Sequence, residues 1–302
     1  MVFSVGHITA FTQQGEYLTA TMEMEHVTVP FWKDTALSIY SDSRPHIGLI
    51  GRLQKGLILI QNCKELIGEG SGFGAPVAFY QEKTYFSGSS DLQVFRKKEH
   101  TICIKQFALD VQPEKWFRKA RVENRLQRKL SNQIADLYQE HQNLRHTFET
   151  LKLKNLSKSI GVHTNFVRSR TIGNVNVTYH IKPPIIHVKA DFESLEKCGL
   201  QKIFLMNEQS SQYFSRYQDS SGNVSHRESI GAWERVTADW ACVSHNIGGI
   251  GFRLWQVKDA VLYIGREFLN GVLDWIGFDY EVDPKKTCFE YDIEVLGGEK
   301  TQ

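Results

Sequence analysis

The sequence lacks a dominant charge: 36 lysines and arginines stand against 34 aspartates and glutamates, a net of +2 over 302 residues. So even a balance supplies no global attraction to nucleic acid or to an anionic membrane, and either partner would need a local patch. Long apolar runs are missing too. No stretch approaches the roughly 20 apolar residues of a spanning helix, and residues 1–7 show no basic segment leading into an apolar one, which argues against a signal peptide. Cysteine is scarce and scattered. The five, at 63, 103, 198, 242 and 288, form no Cys-x-x-Cys pair and no secreted-framework spacing, so they read as small buried hydrophobes in a reducing, cytoplasmic setting. The eleven histidines include no His-Glu-x-x-His or His-x-His, and no metal or cofactor is expected. A Gly-x-Ser-x-Gly elbow and a repeat of 20 to 50 residues are likewise absent.

What is present is a globular composition, 41% hydrophobic and 23% charged, with strand signals on both sides of one contrasting segment. Strands are expected over 57–60, 77–80, 83–87 and 101–111. Leu18, Ala20, Met22 and Met24 alternate with Thr19, Thr21, Glu23 and Glu25, the pattern of a strand buried on one side. After Pro113 no glycine or proline occurs until Gly161. Trp116, Ala120, Leu130, Ile134, Leu137, Leu144, Phe148 and Leu151 recur mostly at three- and four-residue steps. A helix or helical hairpin is therefore predicted over 114–158, with Pro113 in its first turn, a break near 139–143 and Gly161 as its stop.

Strand signals return over 175–181, 185–192, 202–206, 236–245, 251–257, 260–264 and 287–296. In the last, Phe289, Tyr291, Ile293 and Val295 alternate with Cys288, Glu290, Asp292 and Glu294. Pro183-Pro184 marks a bend or an edge, and Gly248-Gly249 a hairpin connection. Strands outnumber helices and do not alternate with them in β-α-β fashion. The predicted fold is mainly β: a large, mostly antiparallel β-sandwich forming one domain over 1–302, with the helical insertion at 114–158. The alternative is two β subdomains, 1–112 and 162–302, joined by the helix. In strand count alone the chain resembles the supersandwich of galactose mutarotase-like proteins; no stretch matches the mutarotase catalytic motifs.

Chemistry concentrates in the run 68–76, where Gly68, Gly70, Gly72 and Gly74 surround Glu69 and Phe73. Glycines this dense imply positive φ angles or a close backbone approach. Gly70-x-Gly72-x-x-Ala75 satisfies a loose dinucleotide pattern, but the chain continues as strand through 76–80, whereas a Rossmann turn opens a helix. A tight turn between packed layers is the simplest structural role, and a ligand loop presenting Glu69 and Phe73 the functional one. Trp233 beside Glu234, and Trp275 near Asp274 and Asp279, combine a stacking ring with hydrogen-bonding carboxylates, as suits a hydroxyl-rich ligand. Asn207-Glu208 and Arg266-Glu267 close apolar strands, where carboxylates serve as acid and base once their environments separate them. Arg266 would orient a substrate carboxylate.

These residues predict a metal-independent isomerase, lyase or hydrolase acting on a small polar organic substrate, carbohydrate among the candidates, by carboxylate general acid/base chemistry. Glu69, Glu208 and Glu267 are the proton-transfer candidates; Gly70, Gly72, Phe73, Gly74, Asn207, Trp233, Arg266 and Trp275 would contact substrate. The alternative is a non-catalytic binding or scaffold protein: Arg118, Arg121, Arg125 and Arg128 fall on one face of the predicted helix and would hold an acidic partner. An oligomer assembled through the glycine loop and the helix's apolar face is a third expectation.

Overall fold

A computed structural model describes residues 4–14, 17–41, 55–68, 70–97, 100–117, 162–231, 233–245, 249–269 and 273–297. In chain order the strands begin with β1 (Ser4–Gln14), β2 (Tyr17–Trp32), β3 (Thr35–Tyr40), β4 (Ile58–Gln61), β5 (Lys64–Glu65), β6 (Gly72–Tyr80) and β7 (Lys83–Lys97). Next come β8 (His100–Phe117), β9 (Val162–Arg168), β10 (Asn174–Lys182), β11 (Ile185–Asp191), β12 (Leu200–Ser210), β13 (Arg216–Asp219) and β14 (Val224–His226). The last are β15 (Glu234–Arg235), β16 (Trp240–Ser244), β17 (Gly251–Trp255), β18 (Ala260–Leu269), β19 (Leu273–Val282) and β20 (Cys288–Leu296). A 3₁₀ turn, Arg227–Ser229, is the one helical element among the described residues.

The chain divides into two compact units, Met1–Gln112 with Arg168–Gln302, and Pro113–Val167. What is described of the second is strand: the end of β8 and β9 up to Val167. The helix predicted over 114–158 is thereby corrected at its start. Residues 113–117 continue β8 instead of opening a helix. Pro113 is tolerated there because the pairing of β8 to β7 ends at Val111 and that to β10 at Ala108, so its missing N–H removes no described ladder bond. Residues 118–158, and with them Arg118, Arg121, Arg125 and Arg128, lie outside the described residues.

The first unit holds two antiparallel sheets. In the larger, the order is β1-β2-β7-β8-β10-β11-β20-β17-β16-β13-β14, while β3, β4 and β5 follow one another from the far part of β2. The second runs β7-β6-β12-β19-β18-β15. Strand β7 belongs to both: residues 83–85 pair with β6, and from Phe86 onward the strand pairs with β8. Pro183-Pro184 forms the turn of the β10–β11 hairpin, and β16 pairs with β17 on either side of the expected Gly248-Gly249 connection.

The sheets pack face to face. Phe252 of the large sheet meets Phe73 and Phe278 of the second at ring-centroid distances of 5.0 and 5.9 Å, and Tyr280 meets Tyr291 at 4.7 Å. Each such aromatic withdraws enough apolar surface to stabilise the fold by about 1.5 to 3 kcal/mol. Strand β20 shows the alternation that makes this possible: Phe289, Tyr291, Ile293 and Val295 are buried, and Glu290 and Asp292 between them are exposed.

Candidate active site on the outer face of the second sheet

Three adjacent strands build the site. On β19, Ile276, Phe278, Tyr280 and Val282 point into the core, which turns Trp275, Gly277, Asp279 and Glu281 outward. On β12, Asn207 and Gln209 point inward, the first accepting the Tyr291 hydroxyl of the opposite sheet at 2.8 Å, so Glu208 points out. Register then fixes the neighbours. Gly72, Glu208, Gly277 and Gly265 form one row across β6, β12, β19 and β18. Ser210, Trp275 and Glu267 form the row on one side of it, and Met206, Asp279 and Tyr263 the row on the other.

Glycine at 277 is required by close approach: a Cβ there would lie 2.2 Å from the Asn207 carbonyl oxygen and 2.6 Å from the Glu208 Cα. Around this bare position stand Glu208 on β12, Trp275 and Asp279 along β19, and Gly265 on β18. Gly265 is covered by the indole of Trp233, whose Cδ2 would be 2.5 Å from a Cβ at that position. Trp233 and Trp275 stack at 5.2 Å with an interplanar angle of 26°. The Trp233 ring is 37% exposed, one of two large hydrophobic side chains so exposed among the described residues.

Two carboxyl groups of this face are buried, Glu208 with 2% and Asp279 with 4% of its surface exposed. Glu208 Oε2 accepts the Ser71 backbone N–H at 2.9 Å, and the backbone of Gly70 lies so close that a Cβ would sit 2.7 Å from the Glu208 carbonyl oxygen. Burial lifts the Asp279 carboxyl well above the usual carboxylate range, and the charge of Glu208 lifts it further, while the Asn207 backbone N–H pulls the other way. Among the described residues Asp279 Oδ1 has no hydrogen-bond partner. The arrangement can therefore hold one proton on Asp279 beside Glu208 in a place from which water is excluded. Farther along the face, Lys202 pairs with Glu281 at 2.8 Å and the Tyr263 hydroxyl donates to Glu281 at 3.2 Å.

The structure thus brings Glu208, Trp233 and Trp275 together, with Gly70 and Gly72 beside Glu208. Glu69 lies outside the described residues. Glu267 stands opposite Trp275 on β18, and its side chain is outside them too. Asp279 enters the sequence reading only as a neighbour of Trp275; its own signal was the period-two pattern of 275–282, a strand not predicted.

Three expectations are corrected. Phe73 is no exposed stacking ring: it is fully buried, because Gly72 to Gly74 begin β6 as a bulged strand, with Gly74 at φ +75°, and turn the ring toward Phe252. Asn207 serves the core, accepting Gly74 N–H at 3.2 Å and the Tyr291 hydroxyl while donating to Leu205 O at 3.0 Å. Arg266 points away from the Gly265 face and ties the 227–231 segment to β18: Nε donates to Ser211 Oγ at 3.2 Å, Nη1 to Arg227 O at 3.2 Å, and its N–H to Gly231 O at 3.0 Å.

Elsewhere, His180 and His187 do meet across the hairpin, with ring centroids 6.0 Å apart, but no group of three or more potential ligands among the described residues could hold a metal ion. All five cysteines are free; Cys103 and Cys242 are buried as expected, whereas Cys63, Cys198 and Cys288 are exposed. No helix among the described residues is long and apolar enough to cross a membrane. No family model and no curated protein matches the chain.

Proposed function

We propose that the outer face of the second sheet is an acid/base site for a small hydroxyl-rich molecule, with Glu208 and Asp279 handling protons and Trp233 and Trp275 packing against the carbon face of the ligand. One observation supports this above the others: two buried carboxyl groups share the face, in adjacent rows, with a stacked and partly exposed tryptophan pair. Buried carboxyls near enough to feel each other's charge are driven apart in proton affinity, which sorts them into acid and base. Flat aromatic faces suit the carbon-bound hydrogens of a sugar or polyol, leaving its hydroxyls to the carboxyls. Free thiols on the surface at Cys63, Cys198 and Cys288 fit a reducing, cytoplasmic setting.

The test is saturation-transfer NMR with D-glucose, D-galactose, D-xylose and myo-inositol as probes. Transfer to at least one is expected, and Trp233→Ala should abolish it while circular dichroism shows that the variant is still folded. Silence from all four probes, or transfer unchanged in the variant, would remove the reading.

A further inference from the structure

How a sheet ends decides what it can pair with, because its last strand presents a row of backbone N–H and C=O groups to whatever comes alongside. Among the described residues most of these ends are blunted. Strand β5, Lys64–Glu65, closes the branch that leaves β2, β15, Glu234–Arg235, closes the second sheet, and β14, Val224–His226, closes one side of the large sheet. Each is two or three residues long, and β5 and β15 consist of charged residues alone. Short, charged edges pair poorly with strangers. The opposite side of the large sheet is built differently: β1 runs eleven residues, Ser4–Gln14, and among the described residues it pairs with β2 alone. It contains no lysine, arginine, aspartate, glutamate or proline.

Within β1 the register against β2 shifts between Val5 and Gly6 and again between Ile8 and Ala10, where irregularities of this kind bend an edge away from new pairing. From Ala10, opposite Thr21, to Gln14, opposite Tyr17, the pairing is unbroken. We propose that this stretch is a self-association edge: two copies of the chain join β1 to β1, antiparallel, across a two-fold axis centred on Thr12, which merges their large sheets. A two-fold axis closes both edges at once, because the same strand serves as both partners. In this register Thr12 meets the partner's Thr12, Phe11 the partner's Gln13 and Ala10 the partner's Gln14. Threonines directly opposite each other form a favourable cross-strand pair. An uncharged edge repels nothing when it meets its own copy, and it carries no charge by which a partner of opposite sign would be selected.

The experiment is sedimentation velocity of the full chain from about 1 to about 100 µM. A dimer that builds up across this range is expected of the parent. Thr12→Lys and Thr12→Asp each set like charges opposite one another at the axis, so each should move dimerisation to concentrations at least about fivefold higher, with circular dichroism unchanged. Mixed in equal amounts, the two variants set a lysine opposite an aspartate, and the dimer should return. A parent that stays monomeric to about 100 µM overturns the proposal. So does a dimer that neither substitution weakens, or a mixture of the folded variants that fails to associate. Should either variant fail to fold, Thr12→Cys takes its place: residues facing each other across a strand pair stand within disulfide reach, so oxidation should link two chains beyond any linkage of the parent, and the lack of that link overturns the proposal.

Discussion

The outer faces of the two sheets carry the same kinds of residue and treat them in opposite ways. On the large sheet, acids alternate with core residues along β20 and each has a basic side chain beside it: Lys189 with Glu290 at 2.6 Å, the imidazole of His187 with Asp292 at 2.7 Å and Arg253 with Glu294 at 3.0 Å. The Lys189 ammonium, hydrogen-bonded to Glu290, holds that carboxyl below its ordinary range. On the second sheet Glu208 and Asp279 are both buried, and burial together with the charge of Glu208 pushes the Asp279 carboxyl the other way. An acid in water with a counter-ion is a solubility device; an acid out of water beside a second acid stores a proton. The difference separates a solvated, ion-paired surface from a buried one.

The strongest blow to this contrast would fall at Gly277. Replacing it with alanine puts a methyl group 2.2 Å from a backbone oxygen of the neighbouring strand, so Gly277→Ala should cost about 3 kcal/mol of stability, read from a lowered urea midpoint at unchanged slope. A loss below about 1 kcal/mol would mean that β12 and β19 part readily and that the site's floor is not rigid.

Asp279→Asn tests the raised proton affinity of that carboxyl. The folded chain keeps that proton to higher pH than the unfolded chain, so the stability it contributes is complete below the ordinary carboxylate range and is lost as pH rises through the elevated folded value. Asparagine cannot lose a proton. The variant should therefore gain more stability over the parent at pH 8 than at pH 4, measured by denaturant unfolding at both. Equal differences at the two pH values would mean that Asp279 titrates normally. At the small end, Glu290→Gln on the large sheet should change stability by no more than about 0.5 kcal/mol at either pH; a larger loss would show that its pairing with Lys189 does more than keep the surface wet.

Much of the fold was legible in the sequence where polarity and period agreed. β20 is the plain case, with acids outward and aromatics inward. In β19 the alternation is equally strict, yet the outward set includes Trp275 and Gly277 and the inward set Tyr280, so polarity conceals the period. The run at 68–76 misled in another way: its glycines read as an exposed loop, whereas Gly72 and Gly74 carry positive φ angles inside a bulged strand, which buries Phe73. Glu208 and both tryptophans were singled out from residue type and strand position, and the structure stacks the two rings. That Glu208 stands diagonal to Asp279 on one face was not legible, because it depends on the β12–β19 register between segments about 70 residues apart in sequence.

Strand β7 has one further consequence. Because it leaves the second sheet after Tyr85 and enters the large one at Phe86, the hydrogen-bond ladders of both layers hang on a single continuous stretch of chain. Fraying that begins in either layer pulls on the other through this shared stretch, so amides of β6 and of β8 that pair with β7 should exchange with solvent together.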